Sequence, residues 1–406
     1  MIVYFSYFLV ASSAFVAMYY YFIFGELEEQ RVEVPDSLPK VSVLMPAYNE
    51  GGVVGDSLEN ILDLDYPDYE VILVNDASTD STLEEVKKFE DDPKLRVLDL
   101  DENQGKAGAL NRGLEHVEGR FSVVQDADSV LEEGTLEKAV AMMMNDSGLG
   151  GVISRIQPLN RNSFFRNLQV TEYTVTNFYR RLMCSIDVLD VTPGAFATYR
   201  TSDLKEIGGF DKGNLTEDLD VAMRLRKEGR SLGMVYDKVS RTELPETYSD
   251  LKGQRVRWAR GFIQNARKHC DMFFNSEYGW FGKFQLPLHV LMPAVAVMGL
   301  SLILFGVFEG VYNLYLHVSA VGFSFALGEL NLMKVLLGFQ WKIYTPLIAG
   351  LLVTGFMIRE AYRSSGREVS HISSLMFYFL GFFAVKAVFW STAIFKEITR
   401  KSKVWT

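Results

Sequence analysis

The fold is decided by the segment VSVLMPAYNE at residues 41–50, in which an apolar run ends abruptly in polar side chains. Segments with helical periodicity follow it at intervals, for example at 83–89 and 107–116. Three later apolar runs lie between such segments: VILVN at 71–75, LRVLDL at 95–100 and FSVVQ at 121–125. Buried strands that alternate with helices predict an α/β domain with a mainly parallel sheet.

Polar side chains follow the predicted strands at their carboxyl ends, which is where ligands of such sheets bind. Tyr48 and Glu50 follow the first strand, Asp76 follows the second, and Asp126 and Asp128 follow the fourth. The sequence has no G-x-G-x-x-G after the first strand and no Walker A motif. It therefore argues against a dinucleotide-dependent dehydrogenase and against a P-loop nucleotidase.

The sequence Asp126-Ala127-Asp128 presents two carboxylates at a predicted strand end. Mg²⁺ and Mn²⁺ prefer oxygen ligands and commonly share them with the phosphates of a substrate. The alternative interpretation is a solvated turn that caps a helix. The position directly after a buried strand leaves both interpretations open.

The sequence Thr216-Glu217-Asp218 precedes a helical pattern at 219–227. A sugar hydroxyl is a poor nucleophile until it loses its proton, so a carboxylate here has the chemistry of a general base. In the alternative interpretation, Thr216 caps the helix and the two acidic side chains stabilise its N-terminus.

The string QRVRW at residues 254–258 combines two arginines with a tryptophan. The planar guanidinium of arginine makes bidentate contacts with a diphosphate, and a tryptophan ring offers a flat apolar surface to a sugar. Because Arg260, Arg267 and Lys268 follow, a basic amphipathic helix on a membrane surface is the alternative.

Long apolar runs at both ends of the chain predict membrane segments. Residues 2–24 carry no charge and are long enough to span a bilayer, so we expect a transmembrane helix over residues 1–25. A cleaved signal peptide is less favoured, because no positive region precedes the apolar run. Residues 26–40 read as a linker and 41–270 as a cytoplasmic catalytic domain. We expect interfacial and transmembrane helices, with three or four spans, over 271–406.

The later membrane candidates are residues 286–308, 344–358 and 372–395, and 311–327 is ambiguous because it contains polar residues. Basic residues flank the last candidate on both sides. Arg359, Arg363 and Arg367 precede it, and Lys396, Arg400, Lys401 and Lys403 follow it. Under the positive-inside rule both groups belong in the cytoplasm, which conflicts with a helix that crosses the membrane fully.

Bulk properties exclude several other classes of protein. The formal net charge of −10 gives no support to nucleic-acid binding, so no nucleic-acid partner is expected. The two cysteines, Cys184 and Cys270, lack the spacing of metal ligands and suit a reducing compartment. The five histidines are scattered, with no pair at the i, i+4 spacing of a helical zinc site.

Six motifs in this order, AYNE, VNDASTD, NQGKAGALN, DAD, TED and QRVRW, give the sequence a specific likeness. The chain resembles the processive branch of the family-2 glycosyltransferases, which includes synthases of cellulose, chitin, hyaluronan and poly-N-acetylglucosamine. The resemblance covers about residues 41–265. It implies an α/β GT-A fold joined to a transmembrane helical region.

The resemblance also implies roles for individual residues. Asp76 and Lys106 contact the uracil end of a UDP-sugar, with Tyr48 and Glu50 nearby. Asp126 and Asp128 hold the diphosphate through Mg²⁺ or Mn²⁺, with Asp128 as the direct ligand, and Asp218 is the general base. The remaining implied contacts are with the diphosphate and with the acceptor sugar below it, and they involve Gln254, Arg257, Trp258 and Glu217.

These roles imply an inverting transfer from a UDP-sugar, UDP-GlcNAc or UDP-Glc, to a growing β-linked polysaccharide that is exported through the membrane. The segment VTPGAF at 191–196 lies where related enzymes have an acceptor-side loop, and its Pro193-Gly194 leaves the sugar undecided. A non-processive enzyme that glycosylates a polyprenyl phosphate or another lipid is the first alternative. A transporter or membrane scaffold with an inactive domain is the second. Membrane lipids are expected partners in every case.

Overall fold

The computed structural model describes residues 2–24, 32–159, 163–322, 341–369 and 371–399. The strands are β1 (Val41–Ala47), β2 (Tyr69–Asn75), β3 (Leu95–Asp99), β4 (Phe121–Val124), β5 (Ser129–Leu131), β6 (Leu149–Pro158), β7 (Ala197–Arg200) and β8 (Ser231–Thr242). The helices up to the end of the sheet are α1 (Ile2–Phe24), α2 (Val54–Leu62), α3 (Thr82–Lys87), α4 (Lys106–Leu114), α5 (Thr135–Asn145), α6 (Phe164–Ser185), α7 (Thr201–Glu206) and α8 (Glu217–Lys227). The later helices are α9 (Tyr248–Lys268), α10 (Leu286–Val321), α11 (Trp341–Ser365), α12 (Ile372–Leu380) and α13 (Phe382–Ile398).

The eight strands form one sheet in the order β3-β2-β1-β4-β7-β6-β8-β5. The four strands predicted from the sequence, β1 to β4, are parallel to one another. Beyond β4 the sheet is mixed, because β7 is antiparallel to both β4 and β6, and β5 is antiparallel to β8. The predicted parallel pairing holds for β1 to β4, and β6 is also parallel to β8, but the sheet as a whole is mixed rather than mainly parallel. Strands β5 and β7 are short and have no distinctive apolar run, so the sequence pattern predicted neither these strands nor their antiparallel pairing.

The parallel half of the sheet is buried on both faces, which explains the continuous apolar run of β1. Val43 and Met45 point into a core shared with α2 and α5. Leu44 points to the opposite face, into a core shared with α4 and α8. Both faces are thus covered by helices, and the carboxyl ends of the strands remain the open edge for a ligand.

Helix α9 packs across the N-terminus of α8 through a buried polar network. Asn265 Nδ2 donates to Thr216 Oγ1 at 3.0 Å, and Asn214 Nδ2 donates to Asn265 Oδ1 at 2.6 Å. Gly261 permits this approach, because an added Cβ would lie 2.3 Å from Thr216 Oγ1. The network brings the segments TED and QRVRW together, although they lie on different helices.

In the described part of the chain, one helix is long and apolar enough to cross a membrane, over Phe281–Ala320. It combines a π-helical turn with α10, and side chains such as Phe305, Phe308 and Leu314 are exposed along it. The ambiguous segment 311–327 continues α10 as far as Val321, and its residues 323–327 lie outside the described ranges. Three or four C-terminal spans are therefore not confirmed.

The predicted span at 372–395 is two helices, α12 and α13, with a bend of 56° between them. Gly381 separates the two helices. Only if this bent pair is counted as one crossing do the described residues contain a second candidate. Arg400, Lys401 and Lys403 lie outside the described residues, as does part of the predicted linker 26–40.

Helices α12 and α13 stay in contact with the α/β domain along their length. Phe377 of α12 packs on Phe164 of α6, with ring centroids 5.7 Å apart. Near the end of α13, Glu397 accepts a hydrogen bond of 2.7 Å from Arg260 of α9. The C-terminal helices therefore form one wall of a cavity at the edge of the domain rather than a separate bundle.

Candidate active site

The turn that follows β4 presents the two carboxylates of the DAD motif. The backbone N–H of Ser129 donates to the carbonyl of Asp126 at 3.1 Å, which closes a tight turn. The buried side chain of Gln125 donates to the carbonyl of Ser129 at 2.8 Å and fixes the turn from within. Asp128 Oδ1 accepts from the hydroxyls of Ser129 at 3.0 Å and Thr242 at 3.1 Å.

Lys106, the first residue of α4, reaches across to this turn. Its ammonium is bonded to the carboxylate of Asp126 and lies 3.5 Å from Glu217 Oε1. Burial alone lowers the pKa of Lys106, but the carboxylates of Asp126 and Glu217 raise it well above its usual value. Gly194 leaves room for this pair, because an added Cβ would lie 2.3 Å from Lys106 Nζ and 2.8 Å from Asp126 Oδ1.

The carboxylates near the DAD turn repel one another. Burial, and then the charge of Asp126, raises the pKa of Asp128 to about 6. Burial, together with the charges of Asp128 and Asp126, raises the pKa of Glu50 to about 7. Carboxylates held close together without enough cations are favourable for a divalent ion, which would relieve their repulsion.

The donor set of this turn fits a magnesium or manganese ion that shares its ligands with a substrate. Among the described residues, no group of three or more histidine, cysteine, aspartate or glutamate side chains is close enough to hold a metal by itself. Mg²⁺ is usually bound by only one or two carboxylates, and substrate phosphates and water complete its coordination. Asp126 and Asp128 supply that number.

Asp218 lies one residue inside α8, opposite the DAD turn. Its Oδ1 accepts from the N–H of Leu219 at 2.8 Å, and its carbonyl accepts from the Thr192 hydroxyl at 2.8 Å. Burial, and then the adjacent charge of Glu217, raises the pKa of Asp218 to about 6. A carboxylate with a pKa near neutrality is a better proton acceptor than an ordinary aspartate while remaining ionised at pH 7.

Trp258 of α9 is held by the arginine three residues before it. The Arg255 guanidinium lies 4.1 Å from the centroid of the Trp258 ring and makes a 2.7 Å ion pair with Glu172 of α6. Lys386 of α13 lies 3.5 Å from the other oxygen of Glu172. Trp258 remains 37% exposed, so part of its ring is available to a ligand. Arg257 donates to the carbonyl of Leu215 at 3.3 Å.

A single cavity of about 720 Å³ joins these groups. Eight of the residues predicted from the sequence line it: Lys106, Asp126, Asp128, Glu217, Asp218, Gln254, Arg257 and Trp258. The same cavity continues between the helices, where its walls include Tyr20 of α1, His289 of α10 and Tyr378 of α12. One space therefore connects the strand ends with the C-terminal helices.

Residues 42–208 match the family described as "Glycosyl transferase family 2". They include the parallel strands, the DAD turn and Gly194. This segment is a glycosyl transferase family 2 domain.

Relatives of this domain include polysaccharide synthases. The chain is 30% identical over 255 residues to poly-beta-1,6-N-acetyl-D-glucosamine synthase of Staphylococcus epidermidis, covering 60% of each chain. It is 30% identical over 227 residues to the enzyme of the same name from Staphylococcus aureus strain MSSA476, covering 56% of this chain and 55% of that one. The chain thus matches over about three fifths of the length of these relatives.

A solved structure agrees with the fold over almost the whole chain. The mannosyltransferase PcManGT from Pyrobaculum calidifontis, in complex with GDP-Man and Mn²⁺, superposes with a TM-score of 0.64. The match covers 98% of this chain and 99% of that one at 21% identity. It confirms a GT-A-like α/β fold with a C-terminal helical region.

Three predicted donor residues of the glycosyl transferase domain do not line the cavity. Tyr48 is exposed just after β1. Glu50 is close enough to the cavity that the charges of Asp126 and Asp128 raise its pKa. Asp76 is buried after β2, and its Oδ1 accepts from the N–H of Gln104 at 2.7 Å. This bond holds the loop before α4, so Asp76 and Lys106 are connected through that loop.

Sequence reasoning missed several polar groups that the helices bring to the cavity. Asp190 lies before the VTPGAF loop, and its Oδ2 is 2.7 Å from His289 Nδ1 of α10. The side chain of Arg180 of α6 lines the cavity and makes no hydrogen bond or ion pair with any described residue. Glu172 and Lys386 hold Arg255 and Trp258, as described above. Of these residues, only Lys386 could have been singled out from the sequence, because it is the one charged residue in the apolar run 372–395.

Proposed function

We propose that the chain is an inverting glycosyltransferase that moves a sugar from a UDP-sugar to a growing β-linked polysaccharide at a membrane. UDP-GlcNAc is the favoured donor, and UDP-Glc is the next candidate. The single observation that carries the proposal is the cavity, which joins the paired carboxylates of Asp126 and Asp128 to the half-buried carboxylate of Asp218 and the ring of Trp258. The relatives named as polysaccharide synthases support it.

In this proposal the donor diphosphate lies at the DAD turn. Asp128 and Asp126 would hold Mg²⁺ or Mn²⁺, which would supply positive charge against the charge that builds up on the leaving diphosphate. Arg257 reaches the same phosphates from α9, and Gln254 hydrogen-bonds the donor beside it. Lys106 bonds to Asp126 and fixes that carboxylate in place.

The transfer step is a single displacement. A hydroxyl oxygen of the acceptor attacks the anomeric carbon as the bond from that carbon to the diphosphate oxygen breaks, and UDP leaves with the bonding pair. Asp218 accepts the hydroxyl proton. Because the attack comes from the side opposite the leaving group, an α-linked donor gives a β-linked product.

The acceptor lies on the helix side of the cavity. Trp258 offers its exposed face to the terminal sugar, and Arg255 covers part of the ring and limits its movement. Glu217 acts on the acceptor side through its charge, which raises the pKa of the adjacent Asp218 at the start of α8. Ring stacking provides apolar contact without a demand for one particular hydroxyl pattern.

The proposed enzyme is a multi-pass protein of the cell membrane, and residues 41–270 form its cytoplasmic catalytic domain. Helices α1, α10 and α11 cross the membrane, so that the end of α11 returns to the cytoplasmic domain, and α12 and α13 lie along the membrane surface. Contacts of α12 and α13 with Phe164, Glu172 and Arg260 support this arrangement. It also removes the conflict over charge, because basic groups before α12 and after α13 then lie on one side.

Transfer of one sugar to a polyprenyl phosphate is the second candidate, and one observation favours it. Arg180 has no ion-pair partner among the described residues, while Val16, Leu288 and Met292 form an apolar part of the same cavity. A cation beside an apolar wall suits a lipid phosphate. In that case Arg180→Gln should abolish use of the lipid acceptor, whereas a neutral glycan acceptor should tolerate it better.

The test of the proposal is incubation of the purified chain with Mn²⁺ and a panel of UDP- and GDP-sugars, with nucleotide release and product mass read together. Release of UDP with a ladder of products supports polymer synthesis. One sugar on an added polyprenyl phosphate supports the second candidate. No nucleotide release from any donor would reject both and favour a scaffold role.

A further inference from the structure

A group of arginines gathers around Tyr236 on the domain surface, away from the DAD turn. The guanidinium carbon of Arg155 lies 5.1 Å from the Tyr236 ring centroid, and that of Arg181 lies 4.5 Å from it. Tyr236 is in a bulge of β8, because Val235 pairs with Ser154 and Val239 with the next residue of β6. The bulge makes the ring available to guanidinium groups from two other elements.

Two more arginines complete what we call the Tyr236 arginine cluster: Arg155, Arg181, Arg241 and Arg367. Arg367 Nη2 donates to Gln157 Oε1 at 2.5 Å, and Arg241 is the register partner of Gln157 in β8. Burial, with the neighbouring charges of Arg155 and Arg241, lowers the pKa of Arg367. The four cations come from β6, α6, β8 and the segment after α11, so only the folded chain assembles them.

The positive charge of the cluster is not balanced within the described residues. None of its four arginines makes an ion pair there, and the buried Nε of Arg155 has no hydrogen-bond partner. The carboxylates whose fields reach Arg155 are those of Glu132 and Asp237. Glu132 is 3.5 Å from Lys238, and Asp237 is bonded to Lys138, so both are already paired.

The cluster lies where the domain meets the helices. The hydroxyl of Tyr236 is 2.7 Å from Ser364 Oγ near the end of α11, and Arg155 Nη1 donates to the carbonyl of Ser365 at 3.4 Å. The same end of α11 shares an apolar core with Leu288, at the start of the long exposed helix α10. After Arg367, the side chains of Val369 and Ile372 are exposed.

We propose that the Tyr236 arginine cluster binds the phosphate of an anionic phospholipid headgroup. Half-buried guanidinium groups without carboxylate partners suit a phosphate, which accepts bidentate hydrogen bonds. The exposed Val369 and Ile372 beside the cluster favour a lipid over a soluble phosphate, because they can enter the acyl boundary next to the headgroup. The bound lipid ties the end of α11 to β6 and β8.

The test uses the full-length chain in nanodiscs of phosphatidylcholine alone and of phosphatidylcholine with phosphatidylglycerol. Phosphatidylglycerol should raise the melting temperature and remain bound in native mass spectrometry. Arg155→Gln should reduce the retained lipid by about fivefold, since each basic residue near an anionic surface contributes about that factor. Arg112→Gln removes the same charge from an exposed helix position and should retain lipid like the wild type.

Arg241→Gln provides a second variant. The side chain of Arg241 makes no hydrogen bond or ion pair with a described residue, so this change removes charge without removing a side-chain bond. It should also lower lipid retention, even if Arg155→Gln does not fold. Equal retention by Arg241→Gln and Arg112→Gln would overturn the proposal. So would equal stabilisation of the detergent-solubilised protein by inorganic phosphate, which would indicate a site for free phosphate.

Discussion

The two walls of the cavity differ in how they are built. The donor-side wall, formed by Lys106, Asp126 and Asp128, consists of a strand end and a helix start within one parallel half-sheet. The helix-side wall, which includes Arg180, Trp258 and Lys386, consists of side chains from separate helices, and α13 is far along the chain from α6. The donor-side wall is thus built from segments that are close in sequence, whereas the helix-side wall depends on tertiary assembly.

The largest expected effect comes from the donor-side wall. Asp128→Asn should nearly abolish both transfer to an acceptor and hydrolysis of the UDP-sugar, because the amide loses the charge that a divalent ion needs. Excess EDTA should have the same effect on the wild type, and added Mn²⁺ should reverse it. Nucleotide release is the measurement.

Asp91→Asn, at an exposed position, is the matched control for that change and should keep full activity. Full activity of the wild type in EDTA would break the assignment of a metal to the donor-side wall.

Asp218→Asn tests the proposed general base, which lines the same cavity as the two walls. Transfer should fall by about 10²–10⁴-fold, the usual contribution of a general base, while calorimetry should find unchanged donor affinity. In the wild type, the rate should fall as the pH drops below about 6, because Asp218 is then protonated. Glu228→Gln, at the exposed end of the same helix, should leave transfer intact. An equal loss of donor affinity and turnover would make Asp218 a binding residue.

The contrast between the walls explains what the sequence predicts. Asp126 and Asp128 follow an apolar run directly, so a rule about strand ends is enough to find them. Asp218 and Trp258 were found through motifs, although the Asn265–Thr216 contact that brings their helices together has no local signal. Gly194 belonged to a predicted loop, but its role appears only when Lys106 and Asp126 lie against it.

The helical region shows where prediction from the sequence fails. The run at 372–395 has the length and hydropathy of a span, yet the chain bends by 56° and returns to the domain. Length and composition describe one segment, whereas the ion pairs of Lys386 with Glu172 and of Glu397 with Arg260 depend on distant parts of the chain. The mixed half of the sheet was missed for the same reason, since β7 is defined by its neighbours β4 and β6.

A smaller effect is expected on the helix-side wall. Trp258→Ala should raise the KM for short β-linked N-acetylglucosamine oligomers by about 100-fold, which corresponds to about 3 kcal/mol for truncation of a packed aromatic. The affinity for the donor should not change. Trp280→Ala, an exposed tryptophan outside the cavity, is the control. A lower melting temperature with an unchanged KM would instead make Trp258 a structural residue.

The smallest expected effect concerns stability. Burial raises the pKa of Asp128 to about 6, so ionisation of this carboxylate costs the folded state free energy that the unfolded chain does not lose. The cost is absent below the unfolded pKa of about 4 and complete above about pH 6. In EDTA at pH 8, the free energy of unfolding of Asp128→Asn should therefore exceed that of the wild type by at most about 3 kcal/mol, and the variant should melt at a higher temperature. Near pH 4 the two proteins should be equally stable. A difference that does not depend on pH would argue against strained burial of this carboxylate.

The most direct test of a cavity with two separate walls is a parallel assay of nucleotide release and polymer formation. The wild type, Asp128→Asn and Trp258→Ala are purified in detergent and given Mn²⁺ and UDP-GlcNAc. Asp128→Asn should lose both activities, whereas Trp258→Ala should lose polymer formation and continue to release UDP by hydrolysis. Equal loss of both activities in folded Trp258→Ala would contradict the presence of two separate walls.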